Sequence, residues 1–588
     1  MSTREHVRWP LLAGGMLVQG WVLYRLLAPL GFVQDDYLNF AQAREGDTAW
    51  QLINRLVFAR YTPSHRLAHL IVTGLQRGEP PSWDLARGVL AALAALGTAL
   101  VAVSAFLLTR RLAAAAFVWL AAGASSATFF CMSWWAAALH TGVHWVALLL
   151  GWICVLAFLD RGRRAWLAAA FVLWAVALGA YEKAMVSTAL CLAVAFWRAQ
   201  GLPSRRPALL ALAVSVAVLD VAYLVHLSNQ GGGAVAPVSW RLLPEATFRA
   251  MTGPFSRAVS GADRVGAVAV AGLMGASVAL SANRRRTLRV WGFFAVAAGG
   301  LFLPPAIKRL GEIGAAAGQE PRHVFEWWPL WLLSFSVALT ELPHRARSAL
   351  LGAAGALWLL SLPWQAADIA RRLDWSEPRE ARAWAERVRG SLRDLEAPAP
   401  VALFEGEVPA LMVEPWYYPY SRAHVVLPLL VPDPFRAVDL DADREAYELT
   451  DAGTFQRAVW SPASSGPASA LGAPAGSCDV EVTGDMVCLS ARSTARCRTD
   501  WPVPPPPPGA ALFALRSQGP TDACIEVFPR DDPKLGVDGW PRCRRRGAAA
   551  WTWFHARAGL EANDIGVSLA PSTRLCLERW AWGRADSR

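Results

Sequence analysis

The sequence is short of charge, and among its charged residues it is shortest of lysine. Only 18% of its 588 residues are charged, whereas 54% are hydrophobic and the mean hydropathy is +0.28. A soluble core does not require so many apolar side chains, so the composition excludes an ordinary soluble protein and indicates a membrane protein. Of its 57 basic residues only Lys183, Lys308 and Lys534 are lysines, which makes their positions informative.

Three further absences each exclude a class of protein or segment. No stretch resembles a nucleic-acid-binding module, so the net charge of +11 does not indicate a nucleic-acid partner. No internal repeat is visible, which argues against a transporter built from two repeated halves. The first apolar segment lacks the small-residue pattern of a cleavage site, so we expect a membrane anchor and not a removable signal peptide.

Long apolar runs recur through the first 365 positions, and they predict an α-helical polytopic protein. A helix needs about 20 apolar residues to cross about 30 Å of hydrocarbon. We read eleven such segments, several of them short: 10–31, 86–108, 112–131, 142–159, 165–181, 184–197, 207–227, 265–281, 290–305, 327–342 and 348–364.

The arginine-rich connections predict how this chain is oriented. Short loops rich in Arg stay in the cytoplasm, and here they occupy every second connection. They are Arg4 and Arg8, "TRR" at 109–111, "DRGRR" at 160–164, "WRAQGLPSRR" at 197–206, "NRRRTLR" at 283–289 and "HRAR" at 344–347. We therefore expect a multi-pass protein of the plasma membrane with a cytoplasmic N-terminus. After an odd number of crossings, the region beyond residue 365 would be exterior.

The cysteines are consistent with an exterior tail. Three of the nine lie in apolar segments and read as buried small hydrophobes. The other six are Cys478, Cys488, Cys497, Cys524, Cys543 and Cys576. An even number in an oxidising compartment predicts up to three disulfides, with 15 possible pairings.

Four regions follow from these patterns. We expect a transmembrane domain over 1–365 and a connecting amphipathic helix over 366–400. A small mixed region over 401–474 would precede a β-rich, disulfide-bonded domain over 475–588, where short alternating runs such as "CDVEVTG" and "IGVSLA" predict a β-sandwich. The exterior C-terminal part is thus an α/β region followed by a β-sandwich.

Four local patterns, in this order along the chain, carry a resemblance to a known superfamily. "QDDY" places Asp35 and Asp36 directly after the first apolar segment, and "RYTPSHRLAHLIVTGL" at 60–75 follows on the same predicted loop. "LGAYEKAMV" at 178–186 and "EPRHVFEWWPLWLL" at 320–333 come later. With the predicted topology, these patterns resemble the GT-C superfamily of integral-membrane glycosyltransferases, which includes protein O-mannosyltransferases and aminoarabinose transferases.

The resemblance implies transfer of a sugar from a polyprenyl-phosphate donor to a glycan, lipid or protein acceptor at the exterior face. Such transfer needs a base for the acceptor hydroxyl and cationic groups for the leaving phosphate. Asp35 and Asp36 are the candidate bases. The candidate substrate-binding residues are Lys183, Glu182, Arg322, His323, Arg60 and His65.

One loop departs from the superfamily pattern. Many relatives carry a second acid between the third and fourth helices, whereas this loop reads "SWWAAALHTGVHW", with His140 and His144 and no carboxylate. The second acid beside the base could raise its pKa, orient the acceptor or help to bind a divalent cation, which is the one candidate cofactor. The metal is therefore left unassigned.

Each candidate also has a plainer interpretation. Asp35 and Asp36 suit the first turn of a helix, which favours negative charge. Arg60, His65, Arg322 and His323 suit the membrane surface, where long cations and histidines meet lipid headgroups. Two other function classes also stay open, namely a polytopic transporter or lipid flippase and a membrane-anchored surface-binding or assembly protein that works through its tail.

Overall fold

The structure is a computed structural model, and it describes most of the chain. The described residues are 8–43, 49–54, 62–75, 82–228, 240–242, 244–245, 262–313, 321–395, 400–404, 408–413, 423–431, 435–438, 443, 446–471, 475–491, 497–504, 507–508, 510, 512–518, 523–529, 542–543, 550–555, 563–569 and 574–587.

The chain divides into two compact units. The first comprises Met1–Leu30, Gly46–Leu75 and Ser82–Ser376, and the second Gly31–Glu45, Gln76–Pro81 and Glu377–Arg588. The described α-helices of the first unit are α1 Arg8–Leu26, α3 Ala49–Asn54, α4 Pro63–Leu75, α5 Trp83–Thr109, α6 Leu112–Gly123, α7 Ser126–Met132, α8 Trp135–Arg161, α9 Ala165–Ala180, α10 Ala184–Arg198, α11 Arg206–Ser228, α12 Ala262–Ala279, α13 Arg284–Ile313, α14 Pro321–Thr340 and α15 His344–Leu373. Those of the second unit are α2 Asp35–Ala43, α16 Ser376–Arg393 and α17 Ala423–Leu430.

Four helices in the described part are long and apolar enough to cross a membrane. They are α5 (Trp83–Thr109), α8 (Trp135–Arg161), Pro203–His226, which contains most of α11, and His344–Arg393, which comprises α15 and α16 taken together. The pair Leu112–Gly123 and Ser126–Met132, bent by 52°, would make a fifth if it is one span. Ten of the eleven predicted segments each fall on one helix and 112–131 covers the bent pair, but the count of eleven spans is not confirmed. Some of these helices are short for a full crossing, such as α9 with 16 residues.

Close helix approach in the first unit depends on small residues. A Cβ on Gly97 of α5 would lie 2.1 Å from Cε3 of Trp145 on α8, so only glycine admits the buried indole there. Polar groups join the helices as well. The side-chain oxygen of Gln19 accepts hydrogen bonds from Thr98 Oγ1 (3.0 Å) and Trp119 Nε1 (2.9 Å). Bonds of this kind fix helices against one another where hydrophobic association is weak.

The second unit is built on two sheets. The described strands are β1 Val401–Leu403, β2 Phe435–Ala437, β3 Ala446–Leu449, β4 Phe455–Pro467, β5 Ala475–Gly476, β6 Asp479–Thr483, β7 Met486–Ser490, β8 Cys497–Val503, β9 Leu512–Gln518, β10 Ala523–Pro529, β11 Arg542–Cys543, β12 Ala550–His555, β13 Asn563–Leu569 and β14 Arg574–Ser587. The nine-stranded sheet has the order β12-β9-β14-β4-β3-β1-β2, with β7 also on β14 and β6 on β7. The five-stranded sheet has the order β11-β10-β13-β8-β5.

The two sheets share one apolar core. Trp501 and Val567 from the smaller sheet pack with Phe513, Leu575 and Trp582 from the larger one. The C-terminal region is therefore a sheet structure, as the alternating sequence predicts.

This unit has two disulfides among its described residues: Cys478, between β5 and β6, is bonded to Cys497 of β8, and Cys488 of β7 to Cys576 of β14. The described residues of the tail therefore contain disulfides, as the sequence predicts.

Candidate functional site

Helix α4 brings three basic side chains into the interior of the first unit. The helix begins at Pro63, a residue whose fixed φ suits the first helical position. His65, Arg66 and His69 are all buried, and His69 is only 1% exposed. Because positions four apart share a helix face, His65 and His69 lie one above the other, with ring centroids 6.1 Å apart.

Helix α8 supplies a second pair of histidines with the same spacing. His140 stands 5.7 Å from His65, measured between ring centroids, in an edge-to-face arrangement. Both His140 and His144 contact the ring of Tyr181, at 4.8 and 5.6 Å. Nδ1 of His144 donates to the carbonyl oxygen of Ala177 at 3.3 Å, which ties the ring to α9. We call His65, His69, His140, His144 and Tyr181 the histidine cluster.

The turn between α9 and α10 adds an ammonium group to this cluster. Tyr181, Glu182 and Lys183 form the whole connection, and Lys183 is the N-cap residue of α10. Lys183 is only 6% exposed, and its Nζ lies 5.0 Å from the centroid of the Tyr181 ring, within cation–π range. Glu182 is half-buried beside it. Two of the predicted substrate-binding residues, His65 and Lys183, are therefore brought together through His140 and Tyr181.

The histidines of α4 lie in surroundings that disfavour protonation. Burial, with the nearby charges of His140, His69 and Arg66, holds the pKa of His65 well below its usual value of 6.5. Burial and Arg66 lower the pKa of His69 to about 3. At neutral pH both imidazoles are therefore uncharged.

The described residues contain no group of three or more His, Cys, Asp or Glu side chains arranged to hold a metal ion. His65 contacts His69 and His140 edge to face, with ring centroids 6.1 and 5.7 Å apart. A metal thus finds no ready set of ligands in the described part of the chain.

Asp35 and Asp36 open helix α2 of the second unit. Oδ2 of Asp36 accepts a hydrogen bond from the backbone N–H of Val33 at 2.9 Å, and the side chain is fully buried. This is the backward contact of a capping box, so Asp36 has the structural role that the plainer interpretation gave it. Asp35 is half-buried, and its carbonyl oxygen accepts from Asn39 Nδ2 at 2.7 Å.

The backbone that presents these acids is unusual. Gln34, immediately before Asp35, adopts φ 43°, a left-handed conformation that few residues other than glycine take. Its N–H donates to the carbonyl oxygen of Leu411 at 3.4 Å. Burial raises the pKa of Tyr37, and the nearby charge of Asp36 raises it further, whereas the charge of Arg389 lowers it. The start of α2 is therefore firmly held within the second unit.

The other predicted site residues lie partly or wholly outside the described structure. Arg60 falls in the segment 55–61, which is not among the described residues. Arg322 and His323 lie in the first turn of α14, but their side chains are outside the described part. Their roles stay predictions.

Sequence reasoning did not single out His69 and Tyr181. The signal was present, because "HRLAH" in α4 and "HTGVH" in α8 are both pairs of histidines four residues apart. Each pair predicts two histidines on one face of its own helix. The separation of α4 and α8 along the chain hid their contact.

No family model and no curated protein matches the sequence. Among solved structures, the chain is similar to ArnT from Cupriavidus metallidurans bound to undecaprenyl phosphate, with 17% identity, a TM-score of 0.44, and coverage of 75% of this chain and 87% of that one. It is also similar to the arabinosyltransferase EmbB from Mycobacterium smegmatis, with 12% identity, a TM-score of 0.33, and coverage of 99% and 65%. Both are GT-C membrane glycosyltransferases, the superfamily that the sequence resembles. Because both TM-scores are below 0.5, the function proposed below rests on the chain's own residues.

Proposed function

We propose that the protein is a membrane glycosyltransferase that moves a sugar from a polyprenyl-phosphate donor to an acceptor at the exterior face. The observation that carries the proposal is the concentration of basic groups in one buried region, formed by Lys183, Arg66 and the histidine cluster. A phosphate accepts several charge-assisted hydrogen bonds at once, and ammonium and guanidinium groups are the side chains that donate them.

In this proposal Lys183 holds the donor phosphate, and His65 is a further donor contact, linked to Lys183 by the side chains of His140 and Tyr181. A compact ammonium suits a space lined by aromatic rings, where the larger guanidinium fork would not turn easily. Glu182 orients the acceptor or Lys183 itself. Arg322, His323 and Arg60 are proposed as further donor contacts on the sequence pattern alone.

The two acids receive different roles. Asp36 is committed to the Val33 N–H and is fully buried, so we assign it to positioning. Asp35 is only half-buried and is proposed as the general base. It would take the proton of an acceptor hydroxyl as the hydroxyl oxygen bonds to the anomeric carbon and the bond from that carbon to the phosphate oxygen breaks. Polyprenyl phosphate is then the leaving group, and no covalent sugar intermediate forms.

The test is transfer of a labelled sugar by purified protein, from a panel of undecaprenyl-phosphate-linked pentoses and hexoses. Asp35→Asn should lower turnover by about 10²- to 10⁴-fold, the usual effect of removing a positioned base. Asp36→Asn keeps an oxygen acceptor for the Val33 N–H, so a much smaller loss is expected.

Near-normal transfer by Asp35→Asn would refute its role as base. If the unmodified protein binds these donors without transferring or hydrolysing any of them, the glycosyltransferase assignment is wrong and a lipid flippase becomes the better account.

A further inference from the structure

A large cavity lies inside the first unit, between α8, α10, α13 and α14. Its volume is about 1020 Å³, at the upper end of the range typical of small-molecule sites. His144 and Ser187 line one end, and apolar side chains such as Trp152 and Leu333 line the middle. From Ser187 to Arg198 along α10 the cavity extends about 16 Å, at 1.5 Å per helical residue.

The other end of the cavity is strongly basic. Four arginines line it, namely Arg198, Arg285, Arg286 and Arg289. Arg286 pairs with Glu341 at 3.2 Å, and Arg285 and Arg289 have no ion-pair partner among the described residues. The other acid near Arg198, Asp160, is paired with Arg110. This end therefore carries an excess of positive charge beside an apolar channel.

Membrane topology alone does not explain this arrangement. Arginines on the cytoplasmic side help to fix orientation wherever they lie. Arg163 and Arg164 meet that need on an exposed loop and do not line the cavity. Arg285 and Arg289 are exposed too, but they line the cavity together with tryptophan and leucine side chains.

We propose that this cavity binds an anionic phospholipid of the leaflet on its arginine side. The phosphate would be held by Arg198, Arg285 and Arg289, whose guanidinium groups match phosphate oxygens in pairs, and an acyl chain would extend along the apolar wall. Basic pockets between transmembrane helices are suited to anionic headgroups. The site is separate from the proposed sugar chemistry, because the arginines and the histidine cluster lie at opposite ends of the cavity.

The test is lipid retention, measured by native mass spectrometry on protein released from nanodiscs of equal parts phosphatidylglycerol and phosphatidylcholine. The unmodified protein should retain phosphatidylglycerol preferentially. Each basic side chain near an anionic surface contributes roughly a factor of five in binding affinity. The Arg285→Gln/Arg289→Gln protein should therefore retain about 25-fold less phosphatidylglycerol than the unmodified protein. The matched control is Arg163→Gln/Arg164→Gln, which removes the same charge from an exposed loop and should retain the lipid normally.

A second variant tests whether the lipid enters the cavity. Ala193 lines the cavity on α10, and Ala193→Trp would fill part of the channel while leaving every arginine in place. It should also reduce phosphatidylglycerol retention, and inorganic phosphate alone at millimolar concentration should not displace the lipid. The proposal would be overturned if both double variants lost phosphatidylglycerol equally, or if the unmodified protein retained the two lipids equally. It would also be overturned if Ala193→Trp left retention unchanged, or if the retained species were a polyprenyl lipid.

Discussion

At the scale of single residues, the carboxylate of Asp36 has a structural contact at the start of α2. Backbone N–H groups at the start of a helix have no hydrogen-bond partner within the helix. The Asp36 carboxylate accepts from one such group, the N–H of Val33. Losing such a cap typically costs about 0.5–2 kcal/mol. Asp36 is fully buried, whereas the neighbouring Asp35 is half-buried. The proposed function therefore assigns the role of base to Asp35 and a positioning role to Asp36.

The buried histidines of α4 predict a loss of stability on acidification. Their pKa values are lowered in the folded protein, so the unfolded chain binds protons first as the pH falls below about 6.5. Stability is therefore full above that pH and declines below it, by about 1.4 kcal/mol per pH unit for each histidine that stays neutral. Between pH 7.5 and pH 5 we expect a loss of about 2–4 kcal/mol, seen as a falling melting temperature in detergent.

A matched pair of variants isolates this effect. His69→Gln should flatten the dependence of melting temperature on pH, whereas His344→Gln, at an exposed position, should leave it unchanged. A melting temperature that is constant or rises between pH 7.5 and pH 5 would show that these histidines are not held neutral.

At the scale of elements, the contact between α5 and α8 depends on one missing methyl group. Gly97→Ala would force a Cβ into the buried ring of Trp145, and such overpacking typically costs about 1–3 kcal/mol. Gly355→Ala on α15 meets nothing within 4 Å and should be neutral. Thermal unfolding of the two variants checks this, and equal melting temperatures would mean that the indole moves aside at little cost.

The register of β10 and β11 predicts a third disulfide. Cys524 and Cys543 are direct partners across this antiparallel pair. Opposite Cα atoms in such a pair are about 4.5 or 5.5 Å apart, within the range that a disulfide spans. Peptide mapping without reduction should recover Cys524 linked to Cys543. Quantitative alkylation of both thiols in the native, unreduced protein would contradict the prediction.

Hydropathy was enough to locate the apolar helices, because an apolar helix is recognised in the sequence by its length and composition alone. It could not reveal that α4 and α8 bring His65 and His140 together, since that contact joins distant parts of the chain. The sheet order was equally hidden. Strand β14 pairs with β4, β7 and β9, which are its neighbours in space and not in sequence. The likeness of Asp35 and Asp36 in sequence also concealed their different burial.

At the scale of the whole molecule, the arginine pattern makes a prediction about sidedness. Positions 162 and 285 should lie in the cytoplasm, and positions 45, 240 and 450 should lie outside, because arginine-rich loops are retained on the cytoplasmic side. Single-cysteine labelling with a membrane-impermeant reagent in intact cells should modify only the second group. A tail that is protected in intact cells would remove the basis for an exterior transfer reaction.

The central claim is that the buried basic region around Lys183 holds the phosphate of a polyprenyl lipid. The most direct measurement compares the affinities of purified protein for undecaprenyl phosphate and for undecaprenol, which lacks only the phosphate. It is made in the Arg285→Gln/Arg289→Gln protein, so that the arginine-lined cavity end does not contribute. We predict tighter binding of the phosphate form and a loss of about 10- to 100-fold on Lys183→Met, as for a charge-assisted hydrogen bond. Equal affinity for the two lipids, or unchanged affinity in Lys183→Met, would contradict the claim.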